Sequence, residues 1–352
     1  MRSWSMKAML LFGAVLVVQA CGSDEEEVAT DLDQSQVVTE IETTDEQGEG
    51  EASNQPEEGE RSGDVTEREL YLMDQYGYVV PRTFRFPPNE EVLKQSLEFM
   101  VAEGPVTEHL PSGFQAVLPA DTEILGVNIT EDGTAVVDFS PSFEEYPREQ
   151  EEAILQALTW TLTQFENVEQ IELQINGHTQ ENMPQGNTPV QSLTRDIGIN
   201  LEGYAPVDIT ASRANTLYFI REQEEDVYFV PVTRRADADD NQALAVVEQL
   251  LEGPAIQSNL LTGIRSGVQL IEEPTLEDGV LTLNFNEALL TENSGTAVSE
   301  EALTMLTLSL TELEGVNEVS YQVNGTQALN RSNGETLTEP VTRPVMLNRG
   351  EF

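Results

Sequence analysis

The chain is 352 residues long and carries 64 Asp and Glu against 17 Lys and Arg, a formal net charge of −47. Only Lys7 and Lys94 are lysines, which excludes a nucleic acid partner, since phosphate binding needs clustered cations. The single cysteine, Cys21, excludes an intramolecular disulfide.

Such an acidic surface suits high salt or high external pH, and its self-repulsion weakens the compact state. At 1 M ionic strength the screening length falls to roughly 3 Å. The melting temperature is therefore expected to rise from low salt to 1 M NaCl, and a flat or falling series would refute this.

The first elements lie in the leader. Arg2 and Lys7 flank a charged start, residues 8–18 are an apolar run, and Val18-Gln19-Ala20-Cys21 follows. The run is too short to span a membrane and has the flanks of a signal peptide. It resembles a bacterial lipoprotein signal, with a small residue before the cysteine, although Gln19 departs from the usual small residue. Residues 1–20 are thus expected to be removed and Cys21 to carry lipid. Each buried CH₂ of such a chain contributes about 0.8 kcal/mol, and more than one chain is needed for stable anchoring. Residues 21–69 read as an acidic, disordered tether, because their sparse apolar content cannot offset chain entropy.

The first module is expected over residues 70–203. Tyr71-Leu72-Met73 and Tyr78-Val79-Val80 read as short strands, with Pro81 marking an edge or an early end. Asn89 is expected to cap a helix with Leu93, Leu97, Met100 and Val101 on one face, stopped by Gly104-Pro105. A hairpin follows: Ile124, Leu125, Val127 and Ile129, then Glu131-Asp132-Gly133, then Ala135, Val137 and Phe139. A helix from about Arg148 ends at Asn167 and leads to a period-2 strand of Ile171, Leu173 and Ile175, which the Asn176-Gly177 turn closes.

Residues 204–216, with Pro206, read as a linker, and residues 217–352 as a second copy of the module. Without a gap, LTWTLTQFENVEQIELQING at residues 158–177 returns as LTLSLTELEGVNEVSYQVNG at residues 306–325. Leu217-Tyr218-Phe219 repeats Leu70-Tyr71-Leu72, and Phe229-Val230-Pro231-Val232-Thr233 repeats Val79-Val80-Pro81-Arg82-Thr83. Gly253-Pro254 stops a helix with Ala243, Val246, Val247, Leu250 and Leu251 on its face. Asp278-Gly279 turns a hairpin, Ser299 caps the last helix, and Gly315 ends it. The tails repeat as well, Thr194-Arg195 and Ile199-Asn200 as Thr342-Arg343 and Leu347-Asn348. The pattern predicts an α+β fold of two tandem β-β-α-β-β-α-β modules, each with two helices packed on one face of a mixed sheet. About 130 residues per copy is enough for an independent core.

With those residues in view, the chain resembles the spore-germination lipoprotein family GerM, each module being similar to a GerMN (germane) domain. The likeness is carried by Leu70-Tyr71, Val80-Pro81, Glu103-Gly104-Pro105, Asp132-Gly133 and Val137-Asp138-Phe139, and by residues 162–177. In the second copy it is carried by Leu217-Tyr218, Val230-Pro231, Glu252-Gly253-Pro254, Asp278-Gly279 and Leu283-Asn284-Phe285, and by residues 310–325. The resemblance implies a compact fold akin to the ring-building motifs of envelope and secretion assemblies. It also implies a role in sporulation or germination at the membrane facing the spore wall.

A search for reactive chemistry finds no G-x-S-x-G, P-loop, H-E-x-x-H or C-x-x-C pattern. His109 and His178 read as exposed turn residues. Asp237, Asp239, Asp240 and Asn241 with Glu248 imitate a calcium loop, but Gln242 stands where the turn needs Gly, so a helix N-terminal acidic cap is the expectation. Glu144-Glu145 and Glu151-Glu152 are too ordinary here to mark acid–base catalysis. Tyr71 and Tyr218 are expected to pack at strand edges rather than to stack on sugar. No catalytic, cofactor or metal residue is assigned, and Cys21 is the one modified position.

The sequence thus favours a non-enzymatic, membrane-anchored interaction protein on the extracytoplasmic face. Its expected partners are envelope or sporulation-complex proteins, met through sheet edges. The alternative is a module that binds peptidoglycan during spore wall assembly or breakdown.

Overall fold

The computed structural model describes residues 66–203, 212–223, 226–237, 241–291, 297–327 and 329–349. Alternating apolar residues make β1 (Thr66–Asp74) and β2 (Val79–Phe86) an antiparallel hairpin, with Tyr71 opposite Pro81 and Leu72 opposite Val80. After α1 (Val92–Glu98), β3 (Phe114–Gln115) adds to the far side of β1. Next come β4 (Ile124–Ile129) and β5 (Thr134–Phe139), antiparallel, then α2 (Glu151–Leu162), β6 (Gln170–Ile175) and β7 (His178–Thr179). β5 and β6 are parallel, and α2 is the crossover that a parallel pair requires.

The second module repeats the plan. β8 (Ser212–Gln223) and β9 (Asp226–Asp237) form the hairpin, and α3 (Gln242–Glu252) follows. β10 (Thr275–Glu277) and β11 (Val280–Phe285) are antiparallel. After β12 (Ala297–Val298), α4 (Glu300–Leu310) crosses over to β13 (Glu318–Val323), parallel to β11. Short strands β14 (Leu329–Arg331), β15 (Thr336–Leu337) and β16 (Val341–Thr342) complete it.

The α+β class and the mixed sheets agree with the sequence reading, and the first hairpin of each module forms a layer of its own. Hydrogen bonding groups β4, β5, β6 and β7 in one sheet and keeps β1, β2 and β3 in another. α2 packs between the β1–β2 hairpin and β6, and α4 between β8 and β13. That position explains why both helices are buried nearly all round, with Leu155, Leu158, Thr159, Trp160 and Leu162 covered in one and Leu303, Met305, Leu306, Thr307 and Leu308 in the other.

Several boundaries differ from expectation. β1 begins at Thr66, so Glu67, Arg68 and Glu69 belong to the first strand rather than to the tether. Arg68 is buried, lies over the Phe86 ring at 4.9 Å and donates to Gln95 Oε1 at 2.8 Å. β8 likewise begins at Ser212, inside the expected linker. Asn89 does not cap α1; its Oδ1 accepts from Glu91 N in the preceding turn. α1 stops at Glu98 because Met100 and Ala102 pair instead with Leu118, at 2.9 Å in each bond. α2 and α4 end at Leu162 and Leu310, with Thr163 and Thr311 as their C-caps, ahead of Asn167 and Gly315. Each threonine hydroxyl donates back to the carbonyl four residues earlier, at 2.7 Å, which competes with continuation of the helix.

Other signals hold. Asn176-Gly177 and Asn324-Gly325 both have positive φ at each residue, the geometry of a type I′ turn. Ser299 Oγ caps α4 by accepting from Ala302 N at 3.1 Å. Pro81 sits on an edge, and β2 continues through it to Phe86.

The expected independent cores are replaced by a shared one. Buried apolar residues of both modules join in one connected cluster, because the two hairpins meet at β2 and β9.

Candidate functional site

The seam between the modules begins with an exchange of tails. Ile199, in the tail of the first module, pairs with Thr233 on β9 of the second: Thr233 N donates to Ile199 O at 2.8 Å, and Ile199 N to Thr233 Oγ1 at 2.9 Å. Leu347, in the tail of the second, pairs with Thr83 on β2 of the first. Thr83 N donates to Leu347 O at 3.0 Å, and Leu347 N to Thr83 Oγ1 at 2.8 Å.

The next residue of each tail is an asparagine in the left-handed conformation, Asn200 at φ 47° and Asn348 at φ 52°. Asn200 Oδ1 accepts from Val79 N, and its Nδ2 donates to Val79 O and to Pro231 O, at 2.7–2.8 Å. Asn348 does the same with Phe229 N, Phe229 O and Pro81 O, also at 2.7–2.8 Å. Each side chain therefore imitates a peptide unit beside β2 or β9 and bridges to the proline of the other module. Pro81 and Pro231 have no N–H to give, and their carbonyls accept from the asparagine amides. The tails thereby cover part of β2 and of β9.

Arginines hold the seam from both sides. Arg82, 1% exposed, stacks 4.0 Å over Phe114, donates to Asn348 O at 3.1 Å and pairs with Asp226. Arg195 and Arg343 converge on Glu312, at 3.0 and 2.8 Å. Tyr218 donates its hydroxyl to the same carboxylate at 2.9 Å. Arg343 also lies 3.8 Å from Glu69 of the first module. Burial pushes the Glu69 carboxyl above the usual carboxylate range, against the pull of Arg343. Burial also pushes the Tyr71 and Tyr218 phenols up, so both stay neutral. The repeat is broken here, since Gln164 stands in the first copy where the second has Glu312. In a chain with few cations, these arginines were the signal by which sequence reading could have found the seam.

Glu151, at the first turn of α2, organises a loop of the first module. It accepts from Tyr146 Oη at 2.8 Å, Gly186 N at 2.5 Å, and Thr188 N and Oγ1 at 3.2 and 2.5 Å. Burial pushes its pKa up, but the bonds from Thr188, Gly186 and Tyr146 outweigh that and hold it below the usual range. A depressed carboxylate pKa stabilises the fold above the unfolded value, and that stability is lost as pH falls through the folded value. Glu151→Gln is expected to cost about 2–3 kcal/mol at pH 7. The loss should shrink as pH drops below the unfolded carboxylate range, which urea unfolding midpoints at pH 7 and pH 3 would test.

Beside the seam lies a groove of about 610 Å³, formed where the β1–β2 turn, the start of α2, residues 200–203 and the 255–258 loop meet. Tyr76 lines it, half exposed, with the Arg221 guanidinium 3.6 Å from its ring centroid. Tyr78 donates its hydroxyl to Ser258 O at 3.0 Å. Glu149, Glu152 and Glu202 supply its charge.

Residues singled out in the sequence are scattered. Cys21, residues 204–211, Asp239 and Asp240 lie outside the described residues. Asn241, not an acidic residue, caps α3 by accepting from Leu244 N at 3.1 Å, and no acid sits in the first turn. His109 and His178 are exposed, as are Glu144, Glu145 and Glu152, and Glu248 is exposed in mid-helix. Tyr71 and Tyr218 are buried, so neither offers a face to sugar. Among the described residues no group of three His, Cys, Asp or Glu is placed to hold a metal ion.

Two copies of one α+β unit, locked through exchanged tails, define a tandem-module protein. The family model described as Germane, sporulation and spore germination, matches residues 69–181 and 216–329. The chain belongs to this family, as the motifs of its two copies implied. It is 45% identical over 289 residues to the spore germination protein GerM of Bacillus subtilis (strain 168), covering 81% of this chain and 79% of that protein. The solved tandem GerMN domains of the Bacillus subtilis sporulation protein GerM match with TM-score 0.76 and 44% identity, over 82% of this chain and all of that one. The solved first GerMN domain of the same protein covers 37% of this chain and 98% of its own, at 51% identity and TM-score 0.36.

Proposed function

We propose that this protein acts in sporulation and spore germination outside the cytoplasm, anchored through lipid at Cys21 to the outer face of the bacterial cell membrane. Its two modules serve as one non-enzymatic interaction unit within a protein assembly. The observation that carries this reading is the seam. Exchanged tails and shared arginines make the pair a single body, and such a body presents surfaces at a fixed separation. The family and the name of the curated relative support the developmental stage, and the lipoprotein-like leader supports the anchor.

Crosslinking the full chain in sporulating cells tests the reading. Capture of envelope proteins is expected, together with loss of the protein from membranes when Cys21→Ala is introduced. Recovery of wall fragments alone would replace it with the peptidoglycan-binding alternative. Release of soluble muropeptides dependent on one carboxylate would overturn the non-enzymatic assignment.

A further inference from the structure

The groove beside the seam contains a carboxylate with one oxygen unused. Glu202, with a side chain 8% exposed, gives Oε2 to Arg234 at 2.7 Å, while its Oε1 is buried and has no hydrogen-bond partner. An orphaned buried acceptor is costly unless a donor reaches it. Within the groove Glu202 is joined by Glu149 and Glu152, and among the described residues no Lys or Arg lines it. Arg234 is the cation already paired with Glu202, and Arg221, over the Tyr76 ring, is engaged by the carbonyls of Ser258 and Asn259 at 3.0 and 3.1 Å.

Exposed apolar side chains adjoin these carboxylates in a lining that is otherwise largely polar. Tyr76 and Leu201 line the groove and are 54% and 57% exposed, and Ile256, between two lining residues, is 94% exposed. Carboxylates beside exposed apolar side chains fit a long aliphatic stem ending in a positive charge, which packs its methylenes on Tyr76 and Leu201 and turns its ammonium to the carboxylates.

We propose that this groove receives the side-chain ammonium of a lysine presented by a partner protein, with Glu202 as its counter-ion. Charge complementarity points to another protein as the source. The chain itself has only two lysines and a net charge of −47, so a second copy is both repelled and nearly unable to supply the group. The proposal rests on the interaction reading above for the origin of that side chain.

The test titrates the full chain with N-acetyl-lysine methylamide, its Nε-acetylated form and the norleucine analogue, following the side-chain methylene signals of each probe by NMR. Saturable millimolar binding is expected for the lysine probe alone, weakened about tenfold in Glu202→Gln and in Tyr76→Ala. Tyr76→Ala keeps the test open should Glu202→Gln fail to fold. Equal binding of the neutral probes, unchanged affinity in both variants, or no saturable shift, as for a groove holding water alone, would overturn the site. In-cell crosslinking of Glu202→Gln separates the two claims. Unchanged protein partners, with lysine binding lost, would refute the groove as the contact and leave the interaction reading standing. Lysine binding intact in the parent, with no protein captured, would refute that reading and leave the site.

Discussion

Replacing Glu312 by alanine is expected to weaken the seam severely while keeping the hydrophobic core intact. Its carboxylate is the common acceptor of Arg195, Arg343 and Tyr218. Removing it leaves two guanidinium groups close together without their shared counter-ion. Breaking a buried ion pair by deleting one partner costs about 3–5 kcal/mol. Arg195 and Arg343 keep roughly a third of their side chains exposed, 35% and 29%, so water relieves part of the penalty and the lower end, about 3 kcal/mol, is expected. In a folded unit of this size that is a fall in Tm of roughly 5 °C. Calorimetry of Glu312→Ala beside the parent measures it, and a drop within scan error would mean that solvent screens the cluster. Glu312→Leu combined with Arg195→Leu and Arg343→Leu should recover much of the loss, because an apolar replacement of the whole cluster leaves no charge stranded.

The parts of this fold that were legible in the sequence are those encoded by near neighbours. The Asn-Gly pairs specify their own turns, Ser299 its own cap, and the period-2 runs their own strands. The two copies, aligned without a gap across residues 158–177 and 306–325, specify the repeat. Residues whose partners lie a module away were read poorly. Leu347-Asn348 was visible as a repeat of Ile199-Asn200, but nothing local says that Leu347 pairs with Thr83, 264 positions earlier. Met100 and Val101 have helical spacing, yet Leu118 draws them into strand-like pairing and α1 ends at Glu98. Arg68 looked like tether because its charge hides a stem that packs on Phe86. The seam was hidden for the same reason, since each of its bonds joins segments that only the folded pair brings together.

That long-range design makes its own test. Asn348 lies in the second module's tail, and its loss is expected to loosen the first module. Alanine there removes partners from Phe229 N, Phe229 O and Pro81 O. Unsatisfied buried groups cost about 1–3 kcal/mol each, and water can reach an opened edge, so the bonds together contribute about 2–3 kcal/mol. Holding a residue with a Cβ at φ 52° adds roughly 1 kcal/mol. Asn348→Ala should therefore destabilise by about 3–4 kcal/mol. Asn348→Gly should regain only the conformational part, near 1 kcal/mol. The sharper readout is local: with the tail released, the amide of Thr83, which donates to Leu347 O, should exchange with solvent at a greatly increased rate. Ile199 and Thr233, on the reciprocal contact, should remain protected. Protection at Thr83 that survived Asn348→Ala would show that the tails follow the seam rather than hold it. Loss at Phe229, which donates directly to Asn348, and at Thr83 and its neighbours on β2, with Thr233 still protected, would establish that the second module's tail finishes the first.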